Sequence, residues 1–271
     1  MEIISSDVKY GTDGDDISAY LAQPEQKGKY PGIVLIHEIF GVDDHIREVS
    51  AKLASEGYVV MAPHLFSSRR LSPVLTPANI GEAMKFMMSI PMDKQRDEKY
   101  RVGEMSKLDQ KTRETIMAVN QILFVERPIA LFVQYLSSAI DYLNSLETVN
   151  GKIGSVGFCF GGGMSINLAC TGKTDATIIF YGENPEPIEK VKNIKGAVLG
   201  FYGGEDHRIN ANIDKLVKAL VEYNKPFAIK VYSGAYHGFF NSTRPNYNSD
   251  AASDAWKLWL DFYSKHLRSK E

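Results

Sequence analysis

The octapeptide "VGFCFGGG", residues 156–163, limits the possible folds more than any other stretch of the chain. It closes an apolar run, "KIGSVGF" (152–158), that has the length of a strand. It opens a segment that reads as a helix over 161–171. Cys159 therefore stands at a strand-to-helix junction, between Gly157 and Gly161 in a G-x-C-x-G pattern. Glycines on both sides of one residue permit a sharp, strained turn with close backbone packing. Such a turn calls for a buried strand with a helix laid back over it.

The rest of the chain repeats that unit. Strands are expected at 17–22, 32–37, 152–158, 176–182, 197–203 and 227–234, and 58–66 reads as a strand then a loop. Helices are expected at 45–57, 129–146, 161–171, 211–223 and about 250–267. "GIVLIH" (32–37) is continuously apolar, as a strand buried on both faces should be. Strands alternating with helices predict an α/β fold, a mostly parallel central sheet with helices on both faces. The 271 residues suffice for a single domain over 1–271. Residues 67–127 break the alternation. That stretch is too long for an ordinary connection. It is charged, Met-rich and partly helical by pattern, and reads either as a solvated surface excursion or as a lid-like insertion over the sheet's active edge.

Charge and cysteine content narrow the partners. A net charge of −2 offers no basic face for nucleic acid. No apolar run reaches the 18 residues of a membrane span. "MEIISSDVKY" lacks the basic start and apolar stretch of a signal peptide. Cys159 and Cys170 lie roughly 15 Å apart on one strand-turn-helix unit, beyond disulfide reach. Both are expected free, as in a reducing cytoplasm.

The turn also places Cys159 at a helix N-terminus, where the dipole and free N–H groups favour a thiolate nucleophile. Alone, the motif fits an inert buried cysteine equally well. A nucleophile elbow needs an acid and then a base downstream. "FYGGEDHRIN" (201–210) ends one strand and offers Glu205, Asp206 and His207; "YSGAYHGFFN" (232–241) ends the next and offers His237. Open parallel sheets place ligand sites at such carboxyl ends. His237 is assigned as base and later acid, with Asp206 fixing its tautomer. Glu205 is the rival acid. The backbone N–H groups of Phe160 and Ile39, the latter in "IHEIFG" (36–41), are candidate oxyanion donors. Glu38 follows a buried strand, where a carboxylate is costly unless paired. It either pairs with Arg47 or lies near Cys159 and tunes its ionisation.

"HEIFGV", "GFCFGGG", "GGEDH" and "YHGF" together resemble the dienelactone hydrolases, a cysteine-nucleophile branch of the α/β-hydrolase fold. The resemblance covers most of the chain and is weakest over 67–127. It implies a Cys-Asp-His triad at Cys159, Asp206 and His237, with Glu38 as an extra active-site carboxylate. It also implies a small lactone or ester substrate and neither metal nor organic cofactor. The family's type reaction opens the lactone ring of a dienelactone to a linear keto acid. Two departures stand out. Family members acting on the anionic lactone carry an arginine four residues after the triad histidine; here that position is Asn241, and the nearest arginine is Arg244. Their R-x-x-x-Y pair corresponds to Arg96 and Tyr100 in "RDEKY". Arg96, Tyr100 and Arg244 are thus candidate substrate-binding residues. Short neutral esters or lactones are expected to be processed at least as well as the anionic lactone. Two other readings remain: a redox-responsive thiol protein on a hydrolase fold, and a binding protein without turnover. The lack of a well-placed resolving cysteine counts against the first, and the full set of triad residues against the second.

Overall fold

The continuous apolar runs become the centre of one eight-stranded sheet in a computed structural model, which describes residues 1–12, 14–94 and 97–268. The chain begins with the antiparallel strands β1 (Ile3–Thr12) and β2 (Asp15–Pro24), then runs through β3 (Tyr30–Ile36), α1 (Asp44–Ser55) and β4 (Val59–Pro63). After α5 (Ile129–Ser145), strands and helices alternate regularly. These are β5 (Val149–Phe158), α6 (Phe160–Ala169), β6 (Ala176–Phe180), β7 (Ala197–Gly203), α7 (His207–Asn210), α8 (Ile213–Glu222), β8 (Phe227–Tyr232) and α9 (Ser249–Leu267). The strand order is β1-β2-β4-β3-β5-β6-β7-β8. From β4 to β8 all neighbours are parallel. β3, β4 and β6 are buried at nearly every residue, as strands covered on both faces must be. One face packs against α5, and the other against α1 and α9.

The described part of residues 67–127 holds three α-helices, α2 (Pro77–Ser89), α3 (Glu98–Ser106) and α4 (Gln110–Asn120), with a 3-10 turn at Met92–Lys94 and a π-helical turn at Gln121–Glu126. Each helix begins at a side-chain cap. Thr76, Asp97 and Asp109 accept from the backbone N–H groups of Asn79, Tyr100 and Thr112, satisfying amides that have no intrahelical partner. α2 packs on α4, and Ile80, Ala83, Ile116, Val119 and Leu123 join the core beneath them. α3 buries no residue. No single helix among the described residues is long and apolar enough to cross a membrane.

Candidate active site

β5 ends in a turn that only a glycine-rich sequence can make. Cys159 has φ 54° and ψ −114°, a conformation unfavourable for a residue with a Cβ. Its N–H donates to the Phe180 carbonyl at 3.0 Å, and its carbonyl accepts from Gly163 at 3.2 Å. The glycines let the backbones interlock. A Cβ on Gly157 would sit 1.9 Å from the Gly161 oxygen; one on Gly161 would sit 2.3 Å from the Ile36 oxygen. The strained turn is thereby held by backbone contacts on both sides.

The turns after β7 and β8 bring two more groups to the same end of the sheet. His237 Nδ1 and Asp206 Oδ2 are 2.5 Å apart, and Cys159 lies close enough to act on the same ring electrostatically. Asp206 is buried, and its other oxygen caps α7 by accepting from Ile209 N–H at 3.4 Å. Glu205, the rival acid, is exposed and faces His207 at 3.9 Å. Burial alone would lower the pKa of His237. The hydrogen bonds and negative charge of Asp206 and Cys159 outweigh it and raise the value to about 10. Cys170 is free but buried, its thiol pushed up to about 12 by loss of solvent.

The loop after β3 supplies the opposite wall. His37 is fully buried with its pKa lowered to about 3, chiefly by desolvation. Its Nε2 accepts from Leu65 N–H at 3.2 Å, so the ring proton is on Nδ1, 2.5 Å from the Glu38 carbonyl oxygen. Ile39 N–H donates to no acceptor among the described residues. Phe160 N–H opens α6 and has no intrahelical acceptor.

Glu38 does not pair with Arg47, which instead bonds Asp7 at 3.0 Å on the surface. The Glu38 carboxyl is buried and accepts from Asn241 Nδ2 at 2.7 Å. Asn241 is itself fully buried, and its oxygen accepts from Thr243 N–H and Oγ1–H, which fixes the amide's orientation. Burial raises the Glu38 pKa; Asn241, Arg244 and His237 offset this only in part. Asn241, at the position where the resemblance led to an arginine being sought, thus holds the Glu38 carboxyl instead. Arg244 stacks its guanidinium 4.0 Å from the centre of the Phe40 ring.

Cys159, Ile39 and Phe160 open onto a cavity of about 1000 Å³ whose far wall comes from α2, α3, α4 and the π-helical turn. Tyr100 and Arg244 do not line it, and Arg96 lies outside the described residues. The charged residues that do were not singled out by motif: Arg101, Arg113, Arg127 and Arg208 against the carboxylate of Glu183. Glu183 is shared by Arg127 and by Arg208, the latter at 2.6 Å. Tyr181, with φ 41°, also lines the cavity and packs its ring 4.9 Å from that of His237. Tyr181 and Glu183 follow β6, a strand end that carries no motif, so only the sheet order reveals their position.

Comparisons with known proteins agree with this architecture. The model of the dienelactone hydrolase family matches residues 17–267. A Saccharolobus solfataricus protein, provisionally named a carboxymethylenebutenolidase, is 39% identical over 96% of this chain and 98% of its own. The carboxymethylenebutenolidase of Pseudomonas putida is 26% identical over 96% of this chain and 95% of its own. A crystal structure of a Klebsiella pneumoniae protein, provisionally titled a dienelactone hydrolase, superposes with a TM-score of 0.75. It covers 98% of this chain and all of its own at 23% identity, and so shares the α/β-hydrolase fold. The chain belongs to the dienelactone hydrolase family.

Proposed function

We propose that the protein hydrolyses a carboxylic ester or lactone through Cys159, His237 and Asp206. The observation that carries this is the strained, glycine-caged Cys159 at the same end of the sheet as an imidazole that Asp206 holds at 2.5 Å. His237 takes the thiol proton, and its raised pKa favours keeping it. The sulfur attacks the carbonyl carbon, and the N–H groups of Ile39 and Phe160 receive the developing oxyanion. The carbon–oxygen bond then breaks, and the leaving oxygen takes the proton from His237. Water attacks the thioester, giving its proton to His237. The carbon–sulfur bond breaks, the acid departs and the starting state returns. Asp206 keeps Nδ1 protonated and supports the imidazolium. Glu38 places a buried carboxyl behind the turn, braced by Asn241.

The similarity of the chain to carboxymethylenebutenolidases supports a hydrolase, and nothing comparable supports the redox-responsive thiol reading. The high pKa of Cys170 makes it a poor resolving thiol. The two unpaired thiols are consistent with a cytoplasmic setting. Turnover of p-nitrophenyl acetate, with and without iodoacetamide, tests the proposal. Hydrolysis that alkylation stops supports it; hydrolysis that survives full alkylation of Cys159 overturns it.

A further inference from the structure

We infer that the cavity beside Cys159 is an acyl-chain site, and that the preferred substrates are esters with a medium to long apolar acyl group. This rests on the hydrolase reading above and names the substrate class of that site. Size is the first argument. About 1000 Å³ lies at the top of the range that encloses drug-sized ligands, far beyond the needs of a small ring lactone.

Direction is the second. Cys159, Ile39 and Phe160 line the cavity, so the scissile carbonyl sits at its edge; His237 does not line it. The leaving oxygen must be next to His237 to take its proton. The substituent that extends into the cavity is therefore the other one on the carbonyl carbon, the acyl chain.

Chemistry is the third. Val102, Met117, Phe124 and Val125 line the cavity yet are 44–68% exposed. The fold leaves this apolar surface uncovered, and it is gathered on one wall facing the nucleophile, as expected of a ligand site. Met87 and Met105 complete that wall. Their flexible thioethers adapt to chains of different length.

The test is an acyl series of p-nitrophenyl esters, acetate to octanoate, each rate divided by its uncatalysed rate. A buried methylene is worth about fourfold (about 0.8 kcal/mol, at 1.4 kcal/mol per tenfold). Burial of half the added methylenes raises kcat/KM by about 50-fold. Octyl acetate should show no such gain over ethyl acetate. Met105→Trp and Met117→Trp should each lower the octanoate-to-acetate ratio, and Met117 is exposed enough for its variant to fold. Calorimetry on Cys159→Ala should show decanoate binding and acetate not. A flat acyl series, a gain on the alcohol side instead, or decanoate binding no better than acetate overturns the inference. If no ester is cleaved through Cys159, the hydrolase reading falls, and the binding measurement still decides whether the cavity holds an acyl chain.

Discussion

The two walls of the cavity are built by opposite rules. On the sheet side, backbones touch where side chains would otherwise stand: a Cβ on Gly182 would lie 2.3 Å from the Gly162 carbonyl carbon. On the helical side, Gly81 in α2 and Gly103 in α3 have nothing within 4 Å of the same position. The first wall is fixed by main-chain geometry and carries the proposed reacting groups. The second is a loosely packed surface of methionine, valine and phenylalanine that sets volume. The proposed function assigns reaction type and substrate size to separate parts of the chain, and substitutions should separate them in the same way.

The sharpest way to break this contrast is at the nucleophile. Cys159→Ala should lower turnover by about 10⁶-fold, as loss of a nucleophile does in a serine protease, while Cys170→Ala should leave it nearly intact. Comparable loss in both would remove the sheet wall's special role. Asp206→Asn should cost about 10⁴-fold in kcat, and Glu205→Gln little; the reverse ranking would transfer the acid's role to Glu205.

Glycine substitutions test the packing itself. Gly161→Ala should destabilise the protein by about 3 kcal/mol, since the new methyl meets main chain that cannot yield. Gly103→Ala should stabilise α3 by about 0.5–1 kcal/mol. Denaturant midpoints for the pair measure both, and equal effects would refute the contrast.

Acidity adds a gentler probe. The His237 pKa is raised from 6.5 to about 10. A raised folded-state value means the protonated ring stabilises the fold. That contribution is complete below about pH 6.5 and is lost as pH climbs through about 10. Wild-type stability should fall more steeply over that range than that of His237→Gln. Parallel curves would contradict the raised value.

The smallest effect belongs to the helical wall. Four arginines and one carboxylate line the cavity, and Arg101 has no acidic partner among the described residues. An acyl chain ending in a carboxylate should gain about 2–5-fold over its neutral analogue, the worth of an exposed ion pair. The gain should vanish in Arg101→Gln or in high salt. This competes with the expectation of a neutral substrate, which rested on the missing arginine at position 241. An unchanged ratio in Arg101→Gln would favour the neutral reading.

What could be read from the sequence follows the same division. Long apolar runs gave strands within a few residues of their observed ends, because burial on both faces leaves one pattern. The G-x-C-x-G turn, Asp206 and His237 were legible because each follows such a strand in the order an elbow requires. β1 was not, since most of its residues are solvent-exposed and no alternation marks them. α3 buries nothing and so shows no apolar stripe. Arg101, Arg127 and Arg208 belong to no motif; the cavity they share is created by the chain's path. Asn241 looked like a lost charge, and only its contact with Glu38 gives it a purpose.

The pinned carbonyl of Glu38 has a consequence for how steadily the site works. The carbonyl and the Ile39 N–H are opposite ends of one rigid trans peptide. His37 grips one end and thereby aims the other. Leu65 N–H holds that ring in place only while Nε2 is unprotonated, which a pKa of about 3 ensures in any ordinary medium. The proposed oxyanion donor therefore keeps its bearing while His237 gains and loses protons. The site has a compass that does not drift with acidity, set beside a switch that does.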